Sequence, residues 1–306
     1  MRNVYSSTIY KKTSVFILAL LTSLYVKADA VKVNNIWYNI VEQASVASVT
    51  YGNWDNSYYK NDDDRYSGDI IIPQEITYNE KVYPVTTIES NAFKCCKGLT
   101  SITIPESITK IGYAAFLYCE GLITITIPNS VTTIEGMAFA ACSNLSTVIL
   151  PEELTELGGL FDSCSSLTSI DIPNTVITID SYALIRTGLE SITIPDNVEV
   201  IGGAAFQECN ELREIIIGKN ISNIYTKAFG KCPNLENVIC YAGTVPDASD
   251  DAFEDSYIEN CTLYVRESLI DAYKAATPWK NFKSIVKIDI PKHTLKYMVD
   301  GELYKS

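Results

Sequence analysis

LTSITIPESITKIGYAAFLYCEG (99–121) is followed at once by LITITIPNSVTTIEGMAFAACSN (122–144), and the two stretches of 23 residues align without a gap. Leucine opens each, and a β-branched run ending in Ile-Pro follows. Then come Ile111 or Ile134, Phe116 or Phe139, and Cys119 or Cys142. Extending the register both ways puts Ile88, Ile111, Ile134, Leu157, Ile179, Ile201 and Ile224 in one column, at steps of 23, 23, 23, 22, 22 and 23 residues. A bulky apolar residue trails each: Phe93, Phe116, Phe139, Phe161, Leu184, Phe206 and Phe229. Cysteine follows at Cys96, Cys119, Cys142, Cys164, Cys209 and Cys232, with Thr187 in the fifth copy. Seven copies in register make internal repetition the organising fact of the chain.

The spacing dictates what one copy can build. In L-x-x-I-x-I the isoleucines are two apart, so they share one face of a strand while the residue between them faces the other way. Proline ends that strand because it cannot donate the next ladder bond. V-x-x-I-G suits a second short extended stretch, and x-x-A-F-x-x-C suits one helical turn with the aromatic ring pointing inward. A unit this short cannot bury its own apolar face, whereas stacking copies at the ~4.8 Å strand spacing buries all of them in continuous columns. The expected fold is an α/β solenoid with a parallel β ladder on one face and short helical turns on the other, capped at both ends. Residues 31–87 are expected to form a β-hairpin front cap, 88–238 seven repeats and 239–290 a rear cap, with 291–306 a tail or the start of a truncated β domain. TYNEKVYP (77–84) reads as a hairpin inserted in the first coil, Arg266 to Trp279 as a helix, and Asp300-Gly301 as a turn within the tail.

The unit I-G-x-x-A-F-x-x-C-x-x-L-x-x-I-x-I-P resembles the leucine-rich repeat of the BspA-like surface and secreted proteins, over roughly residues 70–285. The resemblance implies a leucine-rich-repeat solenoid of bacterial origin at the cell surface, acting in adhesion. Its implied partner is an extracellular or host matrix protein, or another cell-surface protein.

Residues 1–30 carry the marks of a cleavable signal peptide. Arg2, Lys11 and Lys12 precede an apolar run from Thr13 to Val26, and Ala28-Asp29-Ala30 supplies a small-x-small cleavage pattern, with cleavage expected after Ala30. The run has 14 residues, too few to cross a hydrocarbon core ~30 Å thick as a helix. The mature chain is therefore expected to be secreted or held at the cell surface without an integral membrane span. The whole chain has a formal charge of −13, and residues 1–30 carry four basic side chains and one acidic, so the remainder stands at −16. Such a surface repels phosphate backbones, which argues against a nucleic-acid partner.

The single histidine, His293, lies in the tail, so cysteine catalysis lacks a base in the repeats. No C-x-x-C pair suggests zinc, and Asn61-Asp62-Asp63-Asp64 lacks the spacing that wraps ligands around calcium. No cofactor and no metal are expected, and the chain reads as a non-enzyme. The cysteine column reads as buried free thiols, while a Cys240–Cys261 bridge between cap strands stays open.

The outward residue of each long strand offers a binding lane: Thr103, Thr126, Ile149, Asp171, Thr193, Ile216 and Ile239. Its proposed contacts are Thr103, Thr126, Asp171, Thr193 and Ile216. The competing explanation is that β-branched residues simply favour exposed strands. Two other functions remain: a glycan-binding module using front-cap aromatics (Trp37, Tyr51, Trp54, Tyr58, Tyr59), and a carboxylate-dependent hydrolase with two carboxylates facing one pocket.

Overall fold

The computed structural model describes residues 30–51 and 65–289, together with a short antiparallel pair, Met298–Val299 with Glu302–Leu303. Residues 1–29 of the expected signal peptide, Trp54, Tyr58, Tyr59, the acidic run 61–64, His293 and Asp300-Gly301 lie outside the described residues. The chain coils into a solenoid whose every turn contributes to three lanes.

The long-strand lane holds the L-x-x-I-x-I segments. Gly68–Ile71 pairs in parallel with Leu99–Thr103, and Thr124–Thr126 with Thr147–Ile149. Ser191–Ile194, Glu214–Ile217, Asn237–Cys240, Thr262–Val265 and Ser284–Lys287 then form one parallel sheet. The inward isoleucines of these strands are buried, among them Ile125, Ile192, Ile194, Ile215 and Ile217. The short-strand lane holds V-x-x-I: Lys110–Ile111 and Thr133–Ile134 extend one sheet, and Glu156–Leu157, Thr178–Ile179, Val200–Ile201, Asn223–Ile224 and Asp247–Ala248 form another.

The third lane departs from the helical turn expected of x-x-A-F-x-x-C. It consists of consecutive turns: the Ala115, Leu117 and Cys119 amides bond three residues back, while those of Ala114, Phe116 and Tyr118 bond forward to Gly136, Ala138 and Ala140 of the next coil. Alternate amides point along the solenoid axis because Ala114 and Tyr118 have φ of 53° and 61°, in the left-handed region. The pattern recurs at Met137 and Ala141, Tyr182 and Arg186, Ala204 and Glu208, and Lys227 and Lys231. A helix would direct these amides within its own turn, leaving each coil without hydrogen bonds to the next.

Phenylalanine rings fill the interior in a column. Phe93, Phe116, Phe139 and Phe161 stack with centroids 5.0, 5.2 and 5.6 Å apart and planes within 11°. Leu184 interrupts the column, which resumes with Phe206, Phe229 and Phe253 at 5.2 and 5.4 Å. Each such pair adds roughly 0.5–1.5 kcal/mol beyond the area it buries.

Aromatic plugs close both ends. In front, Val31–Val33, Ile36–Val41 and Val46–Thr50 form an antiparallel meander whose last strand joins Lys81–Ile88 in parallel. Asn79 and Glu80, both at positive φ, turn the hairpin between Glu75–Tyr78 and Lys81–Ile88. Tyr66 lies against Phe93 at 4.7 Å, accepts from the Trp37 amide and donates to the Thr50 carbonyl. At the back, the coil geometry continues past Val238: Phe253 stacks on Phe229, and parallel strands run on to Ser284–Lys287. Only Ile270–Ala275 of the expected helix is α-helical, because Pro278 stops it. Trp279 and Phe282 then meet Phe253 edge-on at 5.6 and 5.3 Å, and Trp279 Nε1 donates to the Pro246 carbonyl.

Candidate functional site

The long-strand lane carries all five proposed contact residues outward, but in separate blocks. Thr103 ends Leu99–Thr103 opposite Ile71, and Thr126 lies opposite Ile149. Thr193 lies directly opposite Ile216, which continues to Ile239, Tyr264 and Val286 on successive strands. Thr103, Thr126, Asp171 and Thr193 are exposed and Ile216 is half-buried. Of the five, only Thr193 and Ile216 are paired with each other. Asp171 belongs to no strand.

The lane extends beyond the repeats recognised in the sequence. Ile71, 71% exposed, heads it, and Tyr264 and Val286 complete a four-strand apolar run with Ile216 and Ile239 at its rear. Cap sequences contribute these residues. A sequence signal did exist at the rear, since Phe253 and Ser256 each follow their counterparts Phe229 and Cys232 by 24 residues.

The ladder is interrupted around the fourth repeat. Thr147–Ile149 closes one sheet, Ser169–Ile172 enters none, and pairing resumes at Ser191–Ile194. A cleft of about 360 Å³ opens there, between Ile149, Leu150 and Glu152 on one coil and Asp171, Pro173 and Asn174 on the next. Two neighbouring coils are each one residue short. At Gly158-Gly159 the turn tightens, with the Leu160 amide bonding back to Gly158. At Gly188 the backbone passes so near the preceding coil that a Cβ would lie 2.2 Å from the Ser165 carbonyl oxygen.

The cysteine column is buried and unbridged, and its thiols have a second role besides packing. Cys119 Sγ donates to the Phe93 carbonyl at 3.0 Å, and Cys142, Cys164, Cys209 and Cys232 do the same to Phe116, Phe139, Leu184 and Phe206 at 3.2–3.3 Å. Ser256 takes the place of cysteine against Phe229. Thr187, the exception, turns to its own coil, donating to Leu184. Burial pushes the Cys96 thiol up to about 12 and Cys209 to about 11, and holds Cys119 and Cys164 well above the ordinary thiol range. Such thiols are poor nucleophiles. Cys240 and Cys261 are both free: Tyr273 donates to Cys240, and Cys261 Sγ donates to the Leu235 carbonyl.

The other candidates divide similarly. Trp37 is partly buried, with Lys32 Nζ 5.7 Å from its ring centroid, so a cation already occupies one ring face. The carboxyl held above its usual range is Glu156, through partial burial and the neighbouring Asp180, and it lies on the short-strand lane away from the cleft. Among the described residues, no group of three or more His, Cys, Asp or Glu side chains converges on a metal site, and no helix is long and apolar enough to cross a membrane.

Residues 73–184 and 159–276 match the BspA type leucine rich repeat region, in six copies. Among solved structures, a leucine rich cell surface protein from Faecalibacterium prausnitzii A2-165 is 21% identical, with 86% of this chain and 96% of that one covered and a TM-score of 0.48. A leucine rich repeat protein of T. pallidum is 21% identical, over 71% of this chain and 85% of that one, at a TM-score of 0.46. One from Bacteroides ovatus ATCC 8483 is 20% identical, over 84% and 90%, at 0.35. No curated protein matches. With stacked coils in place and the repeat profile matched across most of its length, the chain belongs to the BspA-type leucine-rich repeat family.

Proposed function

We propose that this is an exported, non-enzymatic repeat protein that binds a macromolecular partner at or outside the cell surface through its long-strand lane. One observation carries the reading: Thr103, Thr126, Ile149 and Thr193 stand exposed along one lane of a chain whose acidic excess otherwise fills turns and caps. Asp171 and Glu214 are the carboxylates among the outward positions from Ser101 to Ile239. A low-charge strip on a rigid scaffold costs little desolvation when covered, and the half-buried Ile216, Ile239 and Tyr264 add apolar area at its rear. Export rests on the pattern of residues 1–30, and adhesion to a matrix or cell-surface protein rests on the family resemblance.

The test is capture of immobilised matrix proteins and mucins by residues 31–306, comparing the parent with Thr126→Lys, Thr193→Lys and Ile216→Asp. Loss of capture in these variants, with unfolding curves unchanged, is the expected result. Capture that survives all three overturns the placement.

A further inference from the structure

We infer that the cleft at the ladder break receives an arginine side chain presented by an extended segment of the protein partner. This deepens the lane reading and rests on it for the existence of such a partner.

The cleft occurs where the sequence departs from its own repeat. Asp171 stands at the position held by Thr103, Thr126 and Thr193 on other coils, and its segment has left the sheet. Its apolar walls suit a methylene stem. Leu150 is buried at the base, Ile149 is 55% exposed alongside, and Pro173 is partly exposed opposite. Long cationic side chains lay their stems along surfaces of this kind while the head stays at the polar rim.

That rim is acidic and unmatched. Elsewhere, carboxylates bridge neighbouring coils to a lysine or arginine: Glu120 with Lys97, Asp162 with Arg186, Asp196 with Lys219, and Glu254 with Lys227. Among the described residues, neither Glu152 nor Asp171 forms an ion pair. The Glu152 backbone is nevertheless held at both ends, its amide donating to Asn129 Oδ1 and its carbonyl accepting from Thr175 Oγ1. With the main chain fixed, only the Glu152 side-chain rotamers remain to be ordered when its carboxylate pairs.

Arginine fits better than other cations. Its planar fork satisfies carboxylate oxygens in pairs and lies flat on apolar surface, which the hydrated lysine ammonium does not do. A bare metal ion would need several converging oxygen ligands, and the described residues assemble no such group. The volume of about 360 Å³ lies at the small end of ligand sites, roughly 300–1,000 Å³, and suits one long side chain with its flanking backbone.

The test uses fluorescein-labelled pentapeptides Thr-Ile-X-Val-Thr, where X is arginine or its neutral isostere citrulline, titrated by anisotropy against residues 31–306. Arginine is expected to bind at least about fivefold tighter than citrulline, the preference shrinking with salt. Glu152→Gln combined with Asp171→Asn should abolish the preference. Ile149→Arg, which fills the cleft from the protein's own lane, should abolish binding, with urea unfolding curves confirming that each variant is folded. Equal binding of the two peptides, no binding at millimolar concentration, or displacement by neutral oligosaccharides each overturns the assignment. If lane variants lose partner capture while no arginine preference exists, the cleft assignment alone falls. If the preference exists while capture survives the lane variants, the lane placement alone falls.

Discussion

Raising the pH should unfold this protein steeply from about pH 9 upward, because the thiol column must stay protonated to stay packed. Cys96, Cys119, Cys164, Cys209 and Cys232 are fully buried, and burial is the leading cause that lifts each thiol above its ordinary value of 9.0. A thiol whose folded pKa exceeds its unfolded one contributes stability that is fully present below pH 9. That stability is lost as pH rises toward the folded value. At pH 10 the unfolded chain's thiols are mostly ionised while the folded ones are not, which favours unfolding by roughly 1–2 kcal/mol per thiol. Five thiols together remove about 7 kcal/mol, comparable to the whole stability of an ordinary domain, roughly 5–15 kcal/mol. Urea unfolding followed by circular dichroism at pH 8, 9, 9.5 and 10, under a thiol-free reductant, measures the slope. Iodoacetamide alkylation of any thiol besides Cys95 should appear only with unfolding. Replacing Cys119 and Cys209 by alanine should remove about two-fifths of these five thiols' share of the slope, Cys240 and Cys261 adding to it separately, whatever their cavities cost at pH 7. A stability that is flat between pH 8 and 10, or alkylation of a buried thiol in the folded protein at pH 9.5, refutes the reasoning. Tyr38, pushed up to about 12 by burial, joins the same trend above pH 10.

Phe139→Ala should cost about 3–5 kcal/mol in urea unfolding, since it leaves a cavity between the rings of Phe116 and Phe161; Phe139→Leu, which copies the coil at Leu184, should cost only about 1 kcal/mol. Lys231, exposed at a φ of 54°, should gain about 0.5 kcal/mol on replacement by glycine, whereas Glu211→Gly, outside the left-handed region, should lose stability in the same assay. Glu156→Gln should stabilise slightly at pH 7; because the folded carboxyl is raised, the gain should vanish below about pH 4 as the parent side chain protonates. Cys95, the partly exposed cysteine, should react with Ellman's reagent in the native protein while the eight buried ones wait for denaturant.

The repeat made the solenoid legible because its geometry is periodic: one strand per 22–23 residues, ended by proline, with leucine and isoleucine turned inward. The turn lane was harder to read. Ala114, Tyr118 and Lys231 are ordinary residues in the left-handed region, a conformation imposed by forward hydrogen bonds to the next coil and not by local preference. The rear boundary blurred at Val238 because the last coils trade cysteine for Ser256 and lose the Ile-Pro ending, while keeping the aromatic column through Phe253.

By itself, the sequence determined which residues point inward, which face outward along the long strands, and that stacked copies share one core. Those follow from side-chain alternation along a single strand, which is a local property. Only the tertiary structure decided where the ladder breaks, that Asp171 and Glu152 line one cleft, and which carbonyl each buried thiol satisfies. These depend on how one coil settles on the next, and residues 23 to 27 positions apart meet there with no local rule to fix the contact.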